Sequence, residues 1–172
     1  TLAKNLFAIE NGKIITGENS LELLELTSKG CSSLNVDFPG ALRILAVAAS
    51  SGKVATVESV TGFASNPERL VVYSTESSST PFRHALSDVE SSETYFCSAT
   101  KLLFFNSGIL LFDKECEKLG VFDREGYFIN SIQLQDFKIR APIDMAVFDN
   151  EVYFLTKNSF DFGYKLEISD LL

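Results

Sequence analysis

The residues in this chain that could do chemistry are few and far apart. One histidine is present, His84, in the run Pro81-Phe82-Arg83-His84-Ala85-Leu86. A serine hydrolase needs an imidazole to take the proton of its nucleophile, so a triad here would rest on His84 alone, and no Gly-x-Ser-x-Gly elbow accompanies it. The setting reads instead as a polar loop with the imidazole at the surface. No phosphate-cradling glycine loop or dinucleotide fingerprint occurs. Cys31, Cys97 and Cys116 are widely spaced, odd in number and without a Cys-x-x-Cys pair. That pattern predicts neither a zinc site nor a disulfide framework.

Carboxylates offer the remaining metal chemistry. A calcium site needs several oxygens converging on one point. Glu10, Glu58, Asp113, Asp144 and Asp149 stand near the ends of apolar runs but at different places within them. The reading is acidic turn residues facing water. Ser87-Asp88-Val89-Glu90 and Ser92-Glu93 put acids just after serines, a context that acidophilic kinases favour. A phosphate there would add roughly −1.5 to −2 charges and attract arginines, although an unmodified loop is the simpler account.

Composition bounds the function classes. With 172 residues and 45% hydrophobic content the chain can bury a substantial core and is not a disordered tail. Net charge is −8, and the 15 basic residues are scattered singly, so direct nucleic-acid binding is not expected. The apolar runs are four to six residues long, short of the roughly 20 needed for a membrane-spanning helix. No signal-peptide pattern opens the chain, and there is no initiator Met, which reads as trimming or as a piece of something longer. Spread-out cysteines and the absence of glycosylation sequons favour an intracellular setting, cytoplasm or nucleus.

The elements that must carry these residues form a repeat. An apolar run leads to a tight turn and a second run; a polar gap and a third run follow. The copies start at Leu6–Ile9, Ile44–Val47, Leu102–Phe105 and Met145–Phe148, and their turns are marked by Gly12, Gly52, Gly108 and Asn150. Asn-Gly at 11–12 is a strong hairpin signal, because a type I′ turn needs positive φ at both central residues. The markers are spaced by 40, 56 and 42 residues. Two of these match the roughly 40–45-residue period of propeller blades. The long interval has a cause in residues 74–94, a Ser/Thr/Glu-rich stretch read as an inserted surface loop.

The first two runs of each unit are apolar nearly throughout. Strands covered on both faces need no polar side, so such runs suit inner strands packed between neighbouring sheets. The 15 phenylalanines fit packing between sheets, in a propeller or equally in a β-sandwich. Segments 34–38 and 128–132 are placed as the strands that link one unit to the next. Ser20–Leu26 has helix propensity and a candidate N-cap, but its place in the repeat assigns it to a strand. The expected fold is all-β: a single propeller-like domain over residues 1–172, with about four antiparallel blades.

The ordering resembles divergent WD-repeat or NHL-type β-propellers. Leu119-Gly120-Val121-Phe122-Asp123-Arg124-Glu125-Gly126-Tyr127-Phe128-Ile129 is similar to the blade turn of NHL-type proteins, and Ala141-Pro142-Ile143-Asp144-Met145-Ala146-Val147 to the entry into their next blade. There is no Trp, and no Gly-His pair precedes a unit, so the network that ties regular WD blades together is missing. The resembled families close with six to eight blades, so four units imply part of a larger ring or one completed by another segment; a closed four-bladed ring is the other option. An open end implies self-association.

The expected function is a noncatalytic interaction scaffold in a multi-subunit assembly, with other protein subunits as partners and no cofactor. Loops at blade edges would make the contacts: Ser28, Lys29, Arg83, Ser87, Glu90, Asp123, Arg124 and Glu125. Two other readings are a propeller-type hydrolase with a channel metal, and an auxiliary subunit of a nucleic-acid-processing enzyme.

Overall fold

Apolar runs separated by two-residue turns pair as hairpins, and the turn chemistry is visible in the backbone. Asp149 and Asn150 hold φ of 47° and 64°, the left-handed pair that lets a tight turn follow the twist of its strands. A computed structural model describes residues 6–10, 13–17, 21–28, 30–34, 44–50, 52–59, 68–75, 81–86, 95–157 and 164–171. They form four antiparallel meanders. The first is β1 (Leu6–Glu10), β2 (Lys13–Gly17), β3 (Leu21–Thr27) and β4 (Gly30–Leu34). The second is β5 (Ile44–Ser50), β6 (Lys53–Ser59), β7 (Glu68–Ser74) and β8 (Phe82–Ala85). The third is β9 (Ala99–Phe105), β10 (Gly108–Asp113), β11 (Lys118–Asp123) and β12 (Phe128–Gln133). The fourth is β13 (Pro142–Phe148), β14 (Glu151–Thr156) and β15 (Tyr164–Glu167). Short 3-10 turns cover Leu134–Phe137 and Ile168–Asp170.

The sheets are stacked in chain order with their first strands adjoining: β1 beside β5, β5 beside β9, β9 beside β13. β10 shows why the inner runs are apolar throughout. All six of its residues are buried. Ile109 and Leu111 face the second sheet, where they join Ala55, Val57, Leu70 and Val72. Leu110 and Phe112 face the fourth, where they join Met145, Val152, Phe154 and Leu166. A strand sandwiched this way loses apolar surface to both sides, at roughly 25 cal/mol per Å². Among the described residues no helix is long and apolar enough to cross a membrane. The segment 21–26, ambiguous by propensity, is strand β3, in register with β2 through Ile15 opposite Leu23.

Several expectations need correction. Within the 74–94 stretch read as a loop, Phe82–Ala85 is β8, paired with β7 through Leu70 opposite His84. Packing explains it, since the Phe82 ring lies 4.3 Å from that of Tyr127 in the third sheet. The fourth strand of the first sheet is Gly30–Leu34; of the segment 34–38 expected as a linking strand only Leu34 is among the described residues, and 35–38 lie outside them. The cysteines also pair: Cys97 and Cys116 form a disulfide with Cα atoms 5.7 Å apart. They are separated by 19 residues along the chain, but the turn after Asp113 returns Cys116 to the segment that enters β9.

Candidate functional site

In a meander the turn between first and second strands and the turn between third and fourth lie at the same end. Contacts between the second, third and fourth sheets gather these ends on one face. The β11–β12 turn is the best-built part of it. The Asp123 carboxylate accepts hydrogen bonds from the backbone N–H of Glu125 (2.9 Å) and Tyr127 (2.8 Å), so the aspartate shapes the turn. Gly126 has φ of +97°, and a Cβ there would meet Val72 at 2.8 Å and Phe82 at 2.9 Å, which leaves glycine as the residue that fits. The turn is thereby pressed against the neighbouring blade.

Polar contacts extend from it across the face. Lys53, at the start of β6, donates to the Arg124 carbonyl (3.1 Å) and pairs with the Glu125 carboxylate. The Arg124 guanidinium lies 5.8 Å from the Phe104 ring centre and donates to the Asn106 carbonyl at 3.4 Å. The Asn106 side-chain amide donates to Asn150 Oδ1 at 2.9 Å. Three blades are thus tied by Lys53, Glu125, Arg124, Asn106 and Asn150. Two shallow hollows adjoin this row. One, of about 530 Å³, is walled by Phe104, Phe148 and Arg124; the other, of about 630 Å³, opens toward Glu151, Glu167 and Ser169. The chemistry on offer is hydrogen bonding, charge and an aromatic wall, which suits recognition of a polar surface.

Of the eight sequence-derived contact residues, Asp123, Arg124 and Glu125 belong to this row. Ser28 is exposed in the β3–β4 turn, at the corresponding end of its own sheet. Arg83 is exposed on β8 and close enough to Tyr73 to oppose the rise in its pKa, away from the row. Lys29, Ser87 and Glu90 lie outside the described residues. Sequence reading missed Lys53, Asn106 and Asn150 as site members. Their signal was present in part: each stands in or beside a turn that the repeat already marked.

Of the five carboxylates considered for a metal, Glu58, Asp113 and Asp144 have other partners, and Glu58 and Asp113 are buried where the sequence suggested acids facing water. Glu58 is buried and accepts from Arg69 (2.9 and 3.2 Å), Thr56 (3.0 Å) and Tyr73 (2.5 Å). Burial, then the hydrogen bond to Glu58, holds the Tyr73 hydroxyl far above its ordinary pKa. Asp113 is buried and accepts backbone N–H bonds from Cys97, Ser98, Glu115 and Cys116. Asp144 is partly desolvated, which works against ionisation, yet the Lys101 ammonium at 2.7 Å and the Met145 N–H hold its carboxyl below the usual range. Asp149 is exposed in its turn, and Glu10's side chain lies outside what the structure describes. Among the described residues, Cys97, Asp113 and Cys116 bring their ligand atoms together, but the two sulfurs are bonded to each other and the carboxylate caps a turn.

His84 is not the surface loop residue expected. It is half-buried on β8, with its ring 5.6 Å from Phe122 and 6.2 Å from Phe128. Nε2 is buried with no hydrogen-bond partner among the described residues. Burial lowers its pKa. Between that lowered value and the unfolded-state value of about 6.5 the unfolded chain takes up a proton that the folded one refuses. Stability contributed by the neutral ring is therefore complete above the unfolded pKa and is lost as pH falls toward the folded one. Urea midpoints should drop on moving from neutral to mildly acid pH, and a His84→Leu variant should show a shallower drop over the same window.

No protein-family model matches the sequence, and no curated protein matches it in sequence. Solved structures do match in shape, and they are β-propeller proteins. Apo AztD from Citrobacter koseri aligns with a TM-score of 0.60 at 14% identity, over 88% of this chain and 41% of that one. The nidogen/laminin complex aligns at 0.57 and 12% identity, over 92% and 58%. The computationally designed Ika8 protein aligns at 0.55 and 14%, over 87% and 41%. The fold is all-β, with about four antiparallel blades that match β-propeller proteins and are consistent with a partial propeller. The chain spans about two fifths of the length of the AztD and Ika8 structures it matches.

Proposed function

We propose that this chain is a noncatalytic propeller scaffold that contacts other protein subunits of an assembly through the turn face. The observation that carries the reading is the row from Lys53 through Glu125 and Arg124 to Asn106 and Asn150. It fixes exposed and half-buried polar groups of three blades in one frame. Such a preorganised surface loses little conformational entropy when a partner docks. The Asp123-Arg124-Glu125-Gly126 turn, which carries the residues of that resemblance and is shaped by hydrogen bonds to its aspartate, supports the finer likeness to NHL-type blades.

The compartment is a separate matter. The intracellular reading leaned on separated cysteines, and the Cys97–Cys116 bond withdraws that support. A lasting disulfide favours an oxidising compartment.

The test is a comparison of variants on one partner. Arg124→Ala and Lys53→Glu should leave the circular dichroism spectrum and melting temperature near wild type, since their contacts are at least partly exposed. A partner retained by the wild-type chain should be held at least ~30-fold more weakly by Arg124→Ala, the loss expected of a central arginine. Retention of every partner by both variants would remove the turn face from the account. A rise in melting temperature with millimolar calcium would favour the hydrolase reading instead.

A further inference from the structure

The blade-to-blade packing of sheets two, three and four follows one register, and among the described residues the outward face of the fourth sheet keeps that register with its large apolar side chains exposed. Phe105 pairs with Gly108 across the β9–β10 hairpin as Phe148 pairs with Glu151 across β13–β14. Counting from those pairs, Leu110 corresponds to Tyr153 and Phe112 to Leu155. In the third sheet these side chains, Phe105, Leu110 and Phe112, face the next blade and are 7%, 0% and 1% exposed. Their counterparts Phe148, Tyr153 and Leu155 are 72%, 36% and 56% exposed. The equivalent positions Ala55 and Val57 of the second sheet are fully buried against the third.

We propose that the open face of β13–β15 is a docking surface for one further β-propeller blade, a four-stranded antiparallel sheet that packs on it as the fourth sheet packs on the third. The face specifies the occupant's chemistry. Its inner half, Phe148, Tyr153 and Leu155, requires apolar side chains opposite. Its outer half is polar: Lys165 stands where the third sheet has Val121, and Glu167 keeps the acid that the third sheet has in Asp123. Lys165 donates to Glu151 at 2.5 Å, and the Tyr153 hydroxyl bonds the same carboxylate, so the polar half is already satisfied within the sheet. A blade with an apolar inner half and a polar outer rim fits it, whereas an apolar helix or a wholly apolar sheet would leave Glu151 and Lys165 facing hydrocarbon. The matched propellers are longer than this chain, which spans 41% to 58% of them, and so have room for further blades. This inference rests on the blade face, which shares Phe148, Glu151 and Glu167 with the hollows beside the turn-face row but none of the residues of the row itself.

In a solution of the 172-residue chain alone, the blade at the opposite end of the stack, β1–β4 of a second copy, is the available occupant. The experiment is sedimentation velocity from low to high micromolar concentration, followed by cross-linking of a mixture of isotopically light and heavy chains. The expected result is concentration-dependent head-to-tail association, with intermolecular cross-links joining β13–β15 of one copy to β1–β4 of the other. Phe148→Asp should weaken the association ~30-fold or more, and Leu155→Lys should do the same if Phe148→Asp fails to fold. A monomer at all concentrations would overturn the proposal. So would cross-links between the β13–β15 faces of both copies, which would mark a merely adhesive patch, or association unchanged in folded variants.

Discussion

Arg69→Met is expected to destabilise the chain by about 3–5 kcal/mol, the cost of stranding a buried carboxylate, and so to remove a large share of a typical domain's stability. The carboxylate is Glu58, whose side chain is 1% exposed, and Arg69 supplies its cation through two donors. The hydroxyls of Thr56 and Tyr73 complete its shell but carry no charge. If the loss comes from the unpaired charge, Glu58→Gln in the Arg69→Met background should recover much of it. The amide oxygen can still accept from both hydroxyls without a counter-ion. Urea denaturation of the two single variants and the double variant gives the coupling directly. Additive losses would mean that Arg69 acts through packing alone.

The second large effect is expected at Gly108, where β10 begins. A Cβ built on it would lie 2.1 Å from the Phe122 carbonyl oxygen and 3.0 Å from the Phe105 ring. The ring can shift, but the carbonyl belongs to β11, which is hydrogen-bonded into the same sheet. Overpacking a core typically costs about 1–3 kcal/mol, and a backbone obstacle should put Gly108→Ala at the upper end of that range or beyond. Ser107→Ala, one residue earlier and exposed, is the matched control and should change the melting temperature little. Near-equal melting temperatures for the two variants would show that the β10–β11 spacing is looser than these contacts imply.

Much of the fold was legible because it depends on local pattern. Continuous apolar runs were readable as inner strands wherever both faces are covered, as Ile109-Leu110-Leu111-Phe112 shows. The Asp149-Asn150 hairpin followed from residue types that tolerate left-handed φ. Gly108 was also picked out, though as a turn marker. Its φ is not in the left-handed region, and the close approach of Phe122 is what requires glycine there.

What stayed hidden depends on register and on stacking. Glu58 and Arg69 are 11 residues apart, and only the pairing of β6 with β7 sets them opposite each other. Phe82-Arg83-His84-Ala85 lies in a polar stretch and becomes a strand because Tyr127, Phe122 and Phe128 of the next blade cover it. Cys97 and Cys116 meet because a hairpin doubles back, which spacing along the chain does not reveal. The candidate site followed the same rule. Asp123-Arg124-Glu125 was readable as a turn, whereas its bonds to Lys53 and Asn106 arise from stacking one blade against another.

That stacking order is the central claim, and zero-length carbodiimide cross-linking tests it most directly. Such a reagent joins an amine to a carboxylate only where they are already in contact. Lys53 of the second blade touches Glu125 of the third, and Lys101 of the third touches Asp144 of the fourth. Mass spectrometry of the cross-linked monomer should recover both isopeptide pairs. Recovery of neither, or of pairs joining Lys53 to the fourth sheet in their place, would contradict a propeller arc in which these sheets are consecutive blades.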